Sequence, residues 1–520
     1  MYAPSFTAPA NTATRSMPAL MSACVVVVVA MVAAINLALP ALAASSLQPT
    51  SNELLWIVDA YILVFGCLLI PAGALGDRLG RKGVLLAGLA IFAGGCVASA
   101  ASPTVAALLV ARVVTGIGAA LVMPATLSLL LQVTEPHDKP KAIATWAAAT
   151  GAAGALGNLG GGLVLQWLPW QGLFLVMGPI ALGLGVAVSR IAPRGQRHRT
   201  ALDPAGAALL TGAVFALLLA IIEGPEQGWT SNVVLGTFTA AGLLTATFVV
   251  HSLRTPNPMV DPRIFTVAEL RNGTIGIGAV FFGLFALFFV NAHYLQYAKG
   301  YSPLLTGVAI LPLPLTVVIV SKRSVPLAVR FGTRTVITSG MVLLAGGLAA
   351  FSLLGSSTPY LFYDAVLLID ATGMGLAVPS LSTAIVTSLP PARAGMGSGL
   401  NSAVREIGAA LGIATVGTIL TSQFNQHLPV EIASEDGSTS QLLRAAHDLG
   451  PATHDQAVDS FTHAMASGFR VIAAVVLVAA IVTARRAPRS AASRNGGRRV
   501  GNPTVTPMSS PFAAGTVEEQ

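Results

Sequence analysis

Apolar residues in this chain come in long unbroken runs, without the 3.6- or 2-residue alternation of half-buried helices and strands. The runs fall at about 19–43, 54–75, 84–101, 104–131, 142–166, 172–191, 205–222, 232–253, 272–297, 304–321, 335–354, 360–387, 397–421 and 466–484. Most reach the roughly 20 residues that a helix needs to cross the hydrocarbon of a bilayer. Backbone polar groups in lipid must be satisfied within the segment, so each run predicts a transmembrane helix. The pattern predicts an all-α integral membrane protein of fourteen spans. They group as a six-helix half (19–191), two inserted central helices (205–253) and a second six-helix half (272–484). Segments 1–18 and 485–520, rich in small residues, proline or arginine, read as disordered tails, and 422–465 reads as a long solvated loop.

Composition agrees. Hydrophobic residues make up 54% of the chain and charged residues 10%, well below the quarter or so usual in soluble proteins. The net charge of +8 raises the question of nucleic acid, but its placement answers otherwise. With both ends inside, 24 of the 29 Lys and Arg residues fall in inner loops and tails, whereas the outer loops hold only Lys299 and Arg444. That asymmetry predicts a multi-pass protein of the plasma membrane with both termini cytoplasmic, whose partner is the lipid bilayer and not nucleic acid. The three cysteines, Cys24, Cys67 and Cys96, lie inside apolar runs and suggest neither a disulfide framework nor a metal site. The first apolar run is followed directly by further spans and reads as a retained helix, not a cleaved signal.

The two halves repeat each other. Arg78-Leu-Gly-Arg-Lys82 recurs 252 residues later as Arg330-Phe-Gly-Thr-Arg334, with Gly340 matching Gly88. Thr115-Gly-Ile-Gly118 recurs as Thr372-Gly-Met-Gly375. Two copies of a six-helix unit, separated by two extra spans, are the simplest account. One difference carries chemistry: Val329 stands where the first copy has Asp77.

The turn between the second and third runs reads Gly73-Ala-Leu-Gly-Asp-Arg-Leu-Gly-Arg-Lys82. By itself it is a cluster of charges that orients the loop. The order of Gly73, Asp77, Arg78, Gly80, Arg81 and Lys82 also resembles the signature loop of the major facilitator superfamily, a latch on the cytoplasmic gate. The resemblance implies that Asp77 meets a partner in the other half, at the amino end of the thirteenth helix near Arg393, where the helix dipole favours an anion.

Charged groups inside hydrocarbon are costly and default to functional hypotheses. Arg112 reads as lying near the middle of the fourth span, in Arg112-Val-Val-Thr-Gly-Ile-Gly-Ala-Ala120. It serves either as one side of an ion pair between helices or, as the resemblance implies, as the buried arginine of proton coupling. Carboxylates able to alternate between a proton and a cation are Asp59 in the second span, Asp370 in the twelfth and Glu406 in the thirteenth. Arg405 and Glu406 read as a neighbouring pair that satisfies its own surroundings, and Asp364 as a wetter group near the outer surface.

The fifth span carries Gly151, Gly154, Gly157, Asn158, Gly161 and Gly162, small residues that let helices pack closely. It resembles the antiporter motif of drug-exporting members, in which a proline stands at the position of Asn158, so a kink is not expected here. Ile35-Asn36-Leu-Ala-Leu-Pro40 resembles the end of that family's first helix, where an acid usually lies five residues before the asparagine; here it is Met31. Neutral or anionic amphiphiles gain ground over cationic ones accordingly. Leu55-Trp-Ile-Val-Asp-Ala-Tyr61 and Leu389-Pro-Pro-Ala-Arg-Ala-Gly-Met-Gly-Ser398 are similar to signatures of the fourteen-span drug:proton antiporter branch, the QacA/EmrB type. The resemblance spans about 19–485 and implies a monomeric, cofactor-free, proton-coupled exporter of small amphiphiles, not an enzyme. A single-product exporter or a nutrient:proton symporter of the same fold is the alternative.

Overall fold

The computed structural model describes residues 12–193, 203–426 and 449–486, with Leu443 and Ala446 between the last two. Fourteen helices are long and apolar enough to cross a membrane, and no strand occurs among the described residues. They are α1 Thr12–Ala43, α2 Ser51–Leu79, α3 Arg81–Ala100, α4 Val105–Val133, α5 Lys139–Trp167, α6 Gln171–Ile191, α7 Pro204–Gln227 and α8 Asn232–Arg254. After them come α9 Ala268–His293, α11 Thr333–Phe351, α12 Tyr360–Thr387, α13 Ala394–Gln426 and α14 Pro451–Arg486. The tenth span, α10, is built of Pro303–Ile310 and Pro312–Phe331, which cross together as Leu305–Phe331. Its helix therefore carries Lys322 and Arg323, placed in a loop by the apolar run alone.

Three boundaries move. Helix α1 begins at Thr12, ahead of the expected 19, and α13 and α14 reach Gln426 and Pro451 from either side, so the loop expected over 422–465 is shorter at both ends. Hydropathy marks where the hydrocarbon ends, whereas a helix continues into the interface as long as its backbone bonds close. The expected tails at 1–11 and 487–520, and most of the acidic loop, lie outside the described residues.

Packing repeats between the halves. The pairs α3–α4, α1–α5, α2–α4 and α3–α6 have counterparts in α11–α12, α9–α13, α10–α12 and α11–α14. Across the halves, α2 lies on α13 and α10 lies on α5. The glycines ending α2 and α10 share a positive φ, 102° at Gly80 and 86° at Gly332, a conformation that L side chains resist.

The inserted pair breaks this symmetry. Leu63 and Cys67 of α2 pack on Val214 and Leu218 of α7, with Ile407 of α13 beside them, so α7 covers the α2–α13 seam. At the end carrying the basic loops, Asp203 caps α7 through Gly206 N at 2.8 Å and accepts from His251 Nε2 of α8 at 2.8 Å. Its second oxygen takes Met259 N of the α8–α9 connection at 3.2 Å. Burial works against the charge, but the His251, Gly206 and Met259 hydrogen bonds prevail and hold the Asp203 carboxyl below its ordinary pKa. A depressed carboxyl contributes its stability above the unfolded pKa and loses it as pH falls through the folded one. Asp203→Ala removes the cap and the clamp, at a cost of about 2 kcal/mol. First-turn amides of α7 should then exchange at least about tenfold faster at neutral pH. Unmodified protein should loosen there only below the ordinary carboxylate range, as hydrogen exchange followed against pH would show.

Candidate functional site

At the basic end, the close of α2 meets the start of α13. Asp77 is 3% exposed and Arg81 5%. Asp77 Oδ1 accepts from Gly395 N at 2.9 Å and Oδ2 from Met396 N at 3.0 Å, so the carboxylate sits on the amino-terminal N–H groups of α13. Arg81 supports it, donating Nη2 at 2.9 Å and Nε at 3.2 Å to Oδ1. The same guanidinium reaches Pro391 O of the second half at 2.8 Å and Ser128 O of α4 at 3.1 Å. Asp77 and Arg81 thus join α2, α4 and α13 in one buried network. The expected meeting of Asp77 with the amino end of the thirteenth helix is present. Arg81 supplies the counter-charge, while Arg393 lines, with Asp77, a crevice of about 750 Å³.

The helices approach closely enough to exclude side chains. A Cβ on Gly73 would lie 2.1 Å from Gly395 O, and one on Gly395 would lie 2.4 Å from Gly73 O. Lys82 bonds Ser189 O at 2.9 Å and Ala192 O at 2.6 Å, capping the carboxyl end of α6, while Arg78 stays half-buried. The repeat has no such latch. Val329, in the place of Asp77, is 84% exposed and borders a second crevice of about 670 Å³.

Arg112 is fully buried on the third turn of α4, about 11 Å from its start, so it lies midway between that end and the helix centre. Its Nε donates to Ile57 O of α2 at 2.8 Å, and its guanidinium lies 4.5 Å from the Tyr61 ring centroid. Tyr61 OH in turn donates to Val28 O of α1 at 2.9 Å. Nη1 and Nη2 of Arg112 find no acceptor among the described residues. Asp59, half-buried, shares the level of α2 that Arg112 touches. Both Arg112 and Glu406 stand within electrostatic reach of Tyr61.

Asp370 belongs elsewhere. It is 1% exposed and faces the α11–α12 seam, where a Cβ on Gly347 would come 2.1 Å from its Oδ1. In the first half the matching glycine, Gly95, meets Thr115 Oγ1. The carboxyl therefore occupies the seam position of a threonine, and the described contacts of Arg112 do not include it. Arg405 and Glu406 stay within electrostatic reach of each other without a direct contact. No ion pair involves Arg405 among the described residues. Glu406 turns toward Gly66 of α2, while Arg405, about 100° round the helix, turns toward α5 and α9.

In α5, Gly157 and Gly161 seat the helix on α1: their Cβ positions would fall 2.3 Å from Ala30 O and 3.0 Å from Ala34 Cβ. Gly154 touches nothing at that range, and Asn158 and Gly162 are exposed. The helix runs unbroken from Lys139 to Trp167. Met31 is fully buried in the core beside this seam.

Two repeated six-helix halves, joined at one end by a buried carboxylate and holding a buried arginine between them, define a membrane carrier of the alternating-access type. A model of the Major Facilitator Superfamily matches residues 21–413, and the chain belongs to that superfamily. It is 32% identical over 380 residues to the methylenomycin A resistance protein of Streptomyces coelicolor, covering 72% of this chain and 80% of the other. It is likewise 32% identical over 455 residues to the multidrug efflux pump LfrA of Mycolicibacterium smegmatis, with 85% and 90% covered. The human organic anion transporter MFSD10 (TETRAN) has the same fold, with a TM-score of 0.59 at 17% identity over 90% of this chain and 99% of the other.

Proposed function

We propose that this protein is a proton-coupled exporter of small amphiphilic molecules, working as a monomer in the plasma membrane with its basic face and both termini in the cytoplasm. The observation that carries the reading is the Asp77 latch, which closes the basic end by joining α2 of one half to α13 of the other. Opening must break it, so access alternates as the halves rock. Relatives named for antibiotic resistance and multidrug efflux support export as the direction. Protonation is assigned to Asp59, at the level of Arg112, and to Glu406, deeper toward the basic end beside Gly66; Asp370, seated in the α11–α12 seam, is left out of this group.

The test uses energised inverted vesicles from a pump-deficient bacterium, loaded with a pH-gradient probe. Cationic, neutral and anionic amphiphiles added in turn should each release protons if they are substrates. Silence across the whole panel would favour the single-product or uptake alternative.

A further inference from the structure

Mid-membrane, the strongest feature is a side chain the proposed coupling scheme does not use. Arg405 is 2% exposed, eleven residues or about 17 Å from the start of α13. Its guanidinium lies 4.2 Å from the Phe281 ring centroid and 5.4 Å from that of Trp146. Phe281 belongs to α9 of the second half and Trp146 to α5 of the first, so the cation is held on aromatic faces contributed by both halves. Trp146 spends its indole N–H on Thr126 Oγ1 at 3.1 Å, which fixes the ring and leaves its face to the arginine. Nη1 of Arg405 is buried without an acceptor. No carboxylate comes within ion-pair distance of the group among the described residues, although Glu406, next to it on α13, is within electrostatic reach.

A buried arginine with no carboxylate in direct contact is unusual, because desolvating the charge is repaid best by an acceptor bonded to it. Aromatic faces offset part of that cost and leave the edge of the guanidinium, where its N–H donors lie, for a ligand. Ser398, Asn401 and Ser402 on the preceding two turns of α13 also hold buried polar atoms without partners. Together they form a polar stripe leading from the basic end toward Arg405, along the seam between the halves.

We infer that Arg405 is the anion-binding group of the transport path, so that the exported molecules include aromatic amphiphiles carrying a carboxylate or comparable oxyanion. The inference rests on the proposed export and names its substrate class. The carboxylate meets the guanidinium edge, and the apolar body of the molecule stacks beside Phe281 and Trp146. Selectivity then follows the charge of the substrate, since a cation at this point meets a like charge.

Three probes sharing one fluorophore test it: 1-pyrenebutyrate, 1-pyrenebutanol and a pyrenylmethyl trimethylammonium salt. Binding to the full-length protein in nanodiscs and transport in inverted vesicles are measured for each. Unmodified protein should favour the butyrate over the alcohol by about tenfold or more, a comparison that needs no variant. Arg405→Gln should erase that preference while changing alcohol binding by less than about twofold, and Arg405→Lys should restore part of it. Phe281→Leu, which keeps the guanidinium, should weaken the butyrate and the alcohol alike. Transport of the alcohol or the cation without the butyrate would overturn the anion site and leave export standing. Equal losses for butyrate and alcohol in Arg405→Gln would reduce Arg405 to a packing role. Movement of none of the three would overturn both the site and the export reading.

Discussion

Asp77→Asn is expected to open the basic end of the bundle. The carboxylate accepts on both oxygens at once, from Gly395 N and Met396 N, with Arg81 on the side. An amide keeps one acceptor oxygen, turns an NH2 group toward a backbone N–H, and leaves Arg81 buried without its counter-charge. Each charge-assisted bond is worth about 1.5–3 kcal/mol, and a buried arginine deprived of its partner adds to the cost. A net loss of about 2–4 kcal/mol shifts the gate equilibrium by roughly 30- to 1000-fold. Gly395→Ala should act in the same direction, since its methyl would meet Gly73 O at 2.4 Å and Asp77 Oδ1 at 2.8 Å, backbone and packed carboxylate that have no room to yield. A cysteine at the buried Ala394 reports the change. Its labelling by a polar maleimide from the basic side should accelerate at least about tenfold in both variants. Unchanged rates in Asp77→Asn would mean that the carboxylate does not hold the gate.

Arg112 should separate coupling from passage. Replacing it with alanine removes the cation, its bond to Ile57 O and its contact with Tyr61, all within the α1–α2–α4 cluster. Lysine is not a conservative exchange here: an ammonium is a compact, strongly hydrated charge and cannot both bond Ile57 O and lie flat on the ring. In both variants, accumulation driven by a proton gradient in inverted vesicles should fall about tenfold or more. Exchange of labelled for unlabelled substrate without a gradient should continue, because that cycle needs no net proton movement. If gradient-driven transport and exchange fall together, Arg112 is a structural tie between α2 and α4. The exchange assay is what distinguishes the two roles left open by the motif.

The latch and the Arg112 cluster differ in how far the chain announces them. Asp77 stands in a short polar turn between apolar runs, so its position in depth and its sign were readable, and the resemblance of the loop assigned it to the start of α13. Arg81 was legible only as one of three cations. Its bonds to Ser128 O and Pro391 O, from parts of the chain far from it in sequence, appear once the helices are packed. Arg405 and Asp370 show the limit most clearly. In a helix apolar all round, periodicity does not say which face looks inward. Hence Arg405 and Glu406, neighbours in sequence, were read as a pair although they point to different helices. Asp370 was read as a carboxylate able to exchange a proton for a cation, and its rotation into a helix seam, where it fills the place of Thr115, was not legible.

The sequence by itself determined the solvent of this protein, its fourteen spans, the repetition of its halves and the side that gathers the positive charge. These follow from hydropathy, length and charge counts, which are local properties summed along the chain. Tertiary structure alone decided which groups the Asp77 carboxylate meets, where α7 and α8 lie, and which buried charges have partners. Those depend on the rotation of each helix about its axis and on the approach of segments hundreds of residues apart. Glycine contacts and backbone N–H groups set both, and neither leaves a periodic trace in the sequence.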